Sequence, residues 1–422
     1  MEPLPQPEAD VRMKGFSRRA TVAAALQWLD SQLFTLAAEQ VPLVQAAGRV
    51  LGRDIVSGYD VPGFERGMMD GYALRASDTE GASDYHRATL EVVGEVLPGR
   101  EFAGELAPGQ CVRIMTGAPL PRGADAVLPV EKSETRESLV EVLEVLPPGK
   151  HVGRRGEDIA RGATVFEAGR RLRPQDLGVL ASIGLDQVPV VARPRVQLVV
   201  TGNELLPAGT PPTGVQIVDS NGPMLSALVA RDGGLPIFPG IVRDEPEAIA
   251  ESLRSDVDIV LVSGGSSVGR EDHAPLLLAR EGTLAVHGVA MRPSSPAGLG
   301  ELDGRLVFLL PGNPVSCLCA YDFFAGRAIR KLAGRSPEWP YPRSRARLVR
   351  KLVSMVGRVD YARVRRTSEP TAINAMPGIE PLAISGASVL SSTTRADGFV
   401  IVPEESEGLP EGAEVDVWWY DT

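Results

Sequence analysis

The stretch DIVLVSGGSSVGREDHAP, residues 258–275, carries the reading of the fold. An apolar run passes straight into glycines and serines, then into two acids, and Pro275 follows where the next helix begins. A strand that is apolar at every position has both faces covered, which is the situation inside a parallel sheet. The rhythm extends in both directions from residue 194 onward. RVQLVVT, LPIFPGI, VDIVLVSGG, LAVHGVAM and RLVFLLPGNP read as strands, and PMLSALVARDGG, EPEAIAESLRSD, HAPLLLAREG and FFAGRAIRKLAG as amphipathic helices between and after them. Residues 194–337 are therefore expected to form a doubly wound parallel sheet with helices on both faces.

In such a sheet the ligand crevice lies beyond the carboxyl ends of the strands, where helix N-termini aim unpaired amides. Three loops fall there: TGNELL (201–206), SGGSSVGRED (263–272) and LPGNPVS (310–316). Gly264, Gly265 and Gly269 let the backbone approach a ligand closely, while Ser266, Ser267 and the local amides offer donors to phosphate oxygens. Asn313 and Pro314 add the start of a further helix. Glu204, Asp219, Asp244 and Asp272 all sit at or just after strand ends of the same sheet. Carboxylates gathered beside a phosphate need a cation between them, and hard oxygen donors with a phosphate favour Mg²⁺.

The rest of the chain fits around this unit. Of 422 residues, 43% are hydrophobic and 23% charged, and the formal net charge is −10 without a basic stripe, so nucleic acid is not an expected partner. No segment has the uninterrupted apolar length of a membrane span, and residues 1–14 read as a tail without a signal-peptide core, so a cytoplasmic protein is expected. Cys111, Cys317 and Cys319 are odd in number and lie in apolar runs, which points to packing. An amphipathic helix from Ser17, with Val22, Leu26, Leu29 and Leu33 at helical spacing, is read together with LRPQDLGVLASIG as one discontinuous helical domain, 15–55 plus 150–193. Residues 56–149 read as an inserted β-rich domain and 338–422 as a C-terminal β domain.

MMDGYAL (68–74), RIMTGAPLPRGADAV (113–127), GEDIARGA (156–163), TGNEL, SGGSSVG and LPGNPVS occur in order along the chain. This set resembles the molybdopterin molybdenumtransferase family, bacterial relatives of the gephyrin E domain. The resemblance implies an enzyme of molybdenum cofactor biosynthesis. It would insert molybdate into adenylylated molybdopterin with Mg²⁺-dependent release of AMP, as a homodimer. Carried over, Glu65, Thr116, Asp158, Glu204, Asp244 and Asp272 are the expected catalytic residues, the last three also binding the metal. Gly264, Gly265, Ser266, Ser267, Gly269, Asp219, Asn221, Pro311, Gly312, Asn313, Pro314 and Ser316 are expected at the pterin phosphate. Arg292, Ser295, Pro296, Arg363 and Ser392 are expected at molybdate.

This chain departs from the family pattern at three positions. Glu65 replaces an aspartate, Gly67 stands where the family has a serine, and RPSSP (292–296) replaces KPGKP, so that Ser295 loses a cation. Weakened molybdate binding is the expected consequence, with Arg66 one candidate to share the charge. The alternative these changes raise is a catalytically weakened paralogue that carries or scaffolds the cofactor.

Overall fold

The computed structural model describes residues 18–265, 272–368, 376–383 and 388–420. They form two compact units, one of residues 40–190 and one joining the N-terminal segment up to Glu39 with everything from Val191 on.

In the 40–190 unit, six short strands form one sheet in the order Ala126–Pro129, Gly71–Leu74, Gln110–Ile114, Ala88–Val96, Leu139–Val142, Ser133–Arg136. Alternation along these strands supplies two cores: Tyr72, Leu74, Leu90 and Leu128 on one side, Ala73, Val112, Ile114 and Val127 on the other. A third core gathers Leu51, Leu172, Leu180, Val188 and Val190 around the helix Pro174–Ser182, with Pro174 in its first turn.

The larger unit opens with α1 (Val22–Gln32), capped by the Thr21 hydroxyl, which accepts from the Ala24 amide at 3.1 Å. The sequence reading joined this helix to residues 150–193. Instead Val22, Ala25 and Leu29 enter the core of the α/β layer, and Asp30 pairs with Arg327 at 2.7 Å. An apolar stripe fixes that a helix is buried but not which sheet buries it.

The α/β layer runs β1 (Arg195–Thr201), α2 (Asn221–Asp232), β2 (Leu235–Ile237), α3 (Pro246–Leu253), β3 (Ile259–Ser263), α4 (Ala274–Glu281), β4 (Thr283–His287), β5 (Gly298–Leu302), β6 (Arg305–Leu310), α5 (Pro314–Ala320), a π-helical turn (Tyr321–Ala325) and α6 (Gly326–Leu332). The sheet order is β2-β1-β3-β6-β5-β4. β2, β1, β3 and β6 are parallel neighbours, and β5 alone runs against its neighbours. The β5–β6 turn at Asp303 and Gly304, with φ of 48° and 80°, is the Asp-Gly hairpin that the expectation of a wholly parallel sheet passed over. Leu198, Ile259, Leu261 and Phe308 point into the core shared with α1, α2, α5 and α6. Val199, Val260, Val262 and Val307 point into the core under α3 and α4. Each such fully buried aliphatic side chain contributes roughly 1.5–3 kcal/mol.

At the C-terminal end β7 (Arg343–Leu348), β8 (Val359–Ser368), β9 (Gly378–Ala383), β10 (Gly398–Val402) and β11 (Glu414–Trp419) close on themselves in the order β8-β9-β7-β11-β10-β8. Ala346, Ala362, Val364, Val400, Val402 and Val417 fill the barrel interior. Tyr361, Phe399 and Trp418 face outward onto the α/β core. The short strand Met291–Arg292 adds to β8 in parallel, aligning Arg292 with Asp360.

Candidate functional site

β1 lies between β2 and β3, so the chain leaving β1 turns to one side while the chain leaving β3 turns to the other. The crevice opened by this divergence is where ligands sit in doubly wound sheets. A cavity of about 750 Å³ occupies it, lined by Thr201, Gly202, Glu204, Asp219, Asn221, Asp244, Ser263, Gly264, Gly265, Asp272, Gly312, Asn313 and Pro314. The four acids read from separate strand ends thus share one cavity wall.

Local contacts hold each lining group. Gly264 has φ of 94°, and a Cβ there would stand 2.2 Å from the carbonyl oxygen of Thr201, so no other residue lets the β3 loop cross the end of β1 this closely. The Thr201 hydroxyl donates to Asp244 Oδ1, joining β1 to the loop after residue 242. The carboxylate of Glu204 folds back over Gly202, whose ideal Cβ position lies 2.9 and 3.0 Å from the two oxygens. Asp219 Oδ1 accepts from the Asn221 and Gly222 amides at 2.8 and 3.0 Å, so half of this carboxylate serves the first turn of α2. Asn221 Nδ2 donates to Ser263 Oγ at 2.9 Å and to the Gly312 carbonyl at 2.8 Å, tying β3 to the LPGNPVS loop, while its buried Oδ1 has no partner among the described residues. Asp219 and Asn221, expected at the pterin phosphate, therefore act first as struts of the crevice.

Glu204, Asp244 and Asp272 were expected to bind one metal ion together. Among the described residues no three His, Cys, Asp or Glu side chains have metal-binding spacing. Hard oxygens around a cavity large enough for a phosphorylated ligand still suit Mg²⁺, which keeps several waters and takes only one or two carboxylates beside substrate phosphates. Ser266, Ser267 and Gly269 lie outside the described residues. Pro311 and Ser316 are buried beside the loop, and Cys317, whose thiol burial pushes up to about 12, packs under Ser263. Ser388, from the segment before Ser392, also lines the cavity, and nothing in the sequence marked it.

The expected molybdate residues are arranged differently from the motif. Arg292 donates to Asp360 Oδ2, and Asp360, fully buried, also takes the Ser354 hydroxyl at 2.6 Å and pairs with Arg358 at 3.2 Å. Asp360 shares the interior face of β8 with Ala362, whereas Arg363 shares the outward face with Tyr361. The register that aligns Arg292 with Asp360 thus sends Arg292 and Arg363 to opposite faces of the strand. Ser294 has φ of 88°, sparsely allowed for a residue with a Cβ, and its hydroxyl donates to the Ser316 carbonyl at 2.5 Å. Ser295 and Pro296 are half-buried in the same loop, and the Ser392 hydroxyl donates to the Val389 carbonyl at 2.6 Å.

Within the 40–190 unit, Thr116 donates from both its amide and its hydroxyl to Asp70 Oδ1, at 2.7 and 2.8 Å. The amide is the larger of the two causes that hold the Asp70 carboxyl below its ordinary range. Asp70, the acid of MDGYA, is the partner the sequence reading omitted. Glu65 and Asp158 are exposed on their loops. Arg66, a candidate to replace the missing cation, pairs with Glu157 at 3.0 Å.

An acid-lined switch-point cavity in an α/β layer, followed by a closed barrel and accompanied by a separate β-rich unit, defines a multidomain α/β protein with its candidate ligand site at the switch point of the sheet. Family models match in order: the MoeA N-terminal region (domain I and II) at residues 20–184, a probable molybdopterin binding domain at 197–331, and the MoeA C-terminal region (domain IV) at 345–420. The molybdopterin molybdenumtransferase 2 of Mycobacterium tuberculosis is 36% identical over 387 residues, 90% of this chain and 94% of the relative. The molybdopterin molybdenumtransferase of Haemophilus influenzae is 31% identical over 93% of this chain and 96% of its own. The solved molybdopterin biosynthesis MoeA protein of Pyrococcus horikoshii superposes with a TM-score of 0.82 at 32% identity, covering 96% of this chain and all of that one. The chain belongs to the MoeA family of molybdopterin molybdenumtransferases.

Proposed function

We propose that the protein inserts molybdate into adenylylated molybdopterin with Mg²⁺-dependent release of AMP, and does so as a homodimer. The observation that carries this reading is the convergence of Glu204, Asp219, Asp244 and Asp272 with Gly264, Gly265 and the 312–314 loop on one cavity. The glycine turn and the start of α5 bring backbone amides to a phosphate, and the buried Asn221 strut holds the two loops at fixed separation. Asp272, with Glu204, would hold Mg²⁺, which when bound neutralises charge on the phosphoanhydride. Asp244, with one oxygen bound to Thr201, presents the other to the cavity and would accept the proton of a water that attacks the pterin-side phosphorus; as the new P–O bond forms, the P–O bond to AMP breaks and AMP leaves.

Purified protein incubated with adenylylated molybdopterin, Mg²⁺ and increasing molybdate should release AMP and yield active cofactor. Sedimentation should give twice the monomer mass. A second reading, a carrier that binds the adenylylated pterin without turning it over, is favoured by the engagement of Arg292 with Asp360. Tight nucleotide binding with no AMP at any molybdate concentration would select the carrier.

A further inference from the structure

Behind the cavity a polar network joins the α/β layer to the barrel, and none of its members belongs to the motifs discussed above. Its centre is Asp322, fully buried on the π-helical turn between α5 and α6. Such turns insert one residue into a helix and frequently mark functional positions. The Asp322 carboxylate accepts from the Tyr341 hydroxyl at 3.1 Å, the Tyr361 hydroxyl at 3.2 Å and Arg231 Nη2 at 3.3 Å. Its backbone carbonyl accepts from Trp339 Nε1 at 2.9 Å. Tyr361 donates its only hydroxyl proton to Asp322, so Tyr420, 2.7 Å away, donates to Tyr361.

Tyr361 is the hinge between this network and the expected oxyanion residues. It lies two residues before Arg363 on β8, so both side chains leave the strand on the same face. Arg363 is 2% exposed and within electrostatic reach of Cys319, one turn before Asp322 on the same continuous helix. The Tyr361 ring stacks on Phe399 at 4.0 Å, and Phe399 pairs in register with Arg363 on β10. The outward face of β8 is therefore fixed at one end by a hydrogen bond to a buried carboxylate and along its side by an aromatic stack.

We propose that Asp322, acting through the Tyr361 hydroxyl, is a positioning residue for Arg363, setting where the guanidinium stands for an oxyanion; this rests on the proposed molybdate-inserting function. In a buried site, one hydrogen bond to a charged group is worth enough to decide the placement of a neighbouring guanidinium. Tyr341 provides the internal contrast. It makes the same kind of bond to Asp322 but lies before β7, outside the strand that carries Arg363.

The test compares full-length wild type, Tyr361→Phe and Tyr341→Phe, with molybdate binding measured by isothermal titration calorimetry and folding checked by thermal melting. Phenylalanine keeps the ring stack and removes only the hydroxyl. Tyr361→Phe should weaken molybdate binding roughly tenfold while Tyr341→Phe leaves it within about twofold, the loss of one charge-assisted hydrogen bond being felt only through β8. Equal effects of the two variants, no effect of Tyr361→Phe, or no molybdate binding by wild type would each overturn the proposal. AMP release, scored separately, tests the catalytic function: absent turnover with the predicted binding contrast leaves the positioning role standing, and normal turnover without the contrast removes it.

Discussion

The switch cavity and the Met291–Arg292 edge of the barrel are assigned to one reaction but handle their charges in opposite ways. In the cavity two carboxylates give part of their capacity to neutral donors, Asp244 to the Thr201 hydroxyl and Asp219 to two amides, and keep their charge. At the barrel, Arg292 gives its charge to the buried carboxylate of Asp360, which already faces Arg358 and Ser354. A neutral partner orients an ion without cancelling it, whereas an opposite charge orients and cancels it together. In the proposed function the cavity carboxylates keep their charge for a cation with phosphates, whereas the single charge of Asp360 is shared between Arg292 and Arg358.

The largest expected effect is at the cavity floor. Gly264→Ala would force a Cβ against the Thr201 carbonyl at a left-handed φ, costing about 3 kcal/mol or more and abolishing AMP release. Urea denaturation and the AMP assay measure both, and a variant of wild-type stability would break the description of the crossing. Asp272→Asn, isosteric and in the same wall, should lower Mg²⁺-dependent AMP release by a factor on the order of 10² to 10³ with little change in melting temperature. Unchanged turnover would remove Asp272 from the site.

At the barrel edge, Ser295→Lys restores the cation that the family pattern has there, and it should lower the molybdate concentration for half-maximal turnover roughly tenfold. No change would mean that the oxyanion is held without this loop. In the same loop, Ser294→Gly relieves the positive φ but releases the Ser316 carbonyl, whereas Ser294→Ala keeps the strain and loses the bond. The alanine variant should be the less stable by about 1 kcal/mol in chemical denaturation.

A pH-dependent effect of similar size lies in the 40–190 unit. Arg170, then Arg173, hold the buried Asp176 carboxyl far below the usual carboxylate range. Its folded value is depressed, so its stabilisation is present above the unfolded value near pH 4 and is lost as pH falls further. Asp176→Asn should therefore cost about 1–2 kcal/mol at neutral pH and approach wild type in strong acid. A difference in melting temperature that does not narrow between neutral pH and pH 2 would contradict the assignment.

How far these features were legible depends on their range along the chain. Strand periodicity in RVQLVVT, IVLVS and RLVFLL exposed the doubly wound layer, and the glycines and acids following those runs marked the carboxyl end where the cavity opened. The β5–β6 hairpin was also written locally, as Asp303-Gly304, but the continuous apolar strand after it drew the reading toward parallel order. Asn221, Ser388 and Asp360 were beyond local reading. Their roles depend on partners 42, 91 and 68 residues away for the bonds of Asn221 to Ser263, of Asn221 to Gly312 and of Arg292 to Asp360.

By itself the sequence determined the periodicities that sort strands from helices, the glycines that permit left-handed turns, and the family motifs, because backbone sterics and side-chain alternation act between near neighbours. Only the tertiary structure decided that α1 joins the α/β core, that Glu204, Asp219, Asp244 and Asp272 line one cavity, and that Arg292 pairs with Asp360 on the face of β8 opposite Arg363. Those outcomes follow from which elements pair and in what register, and a one-residue change of register reverses the side on which a charge appears.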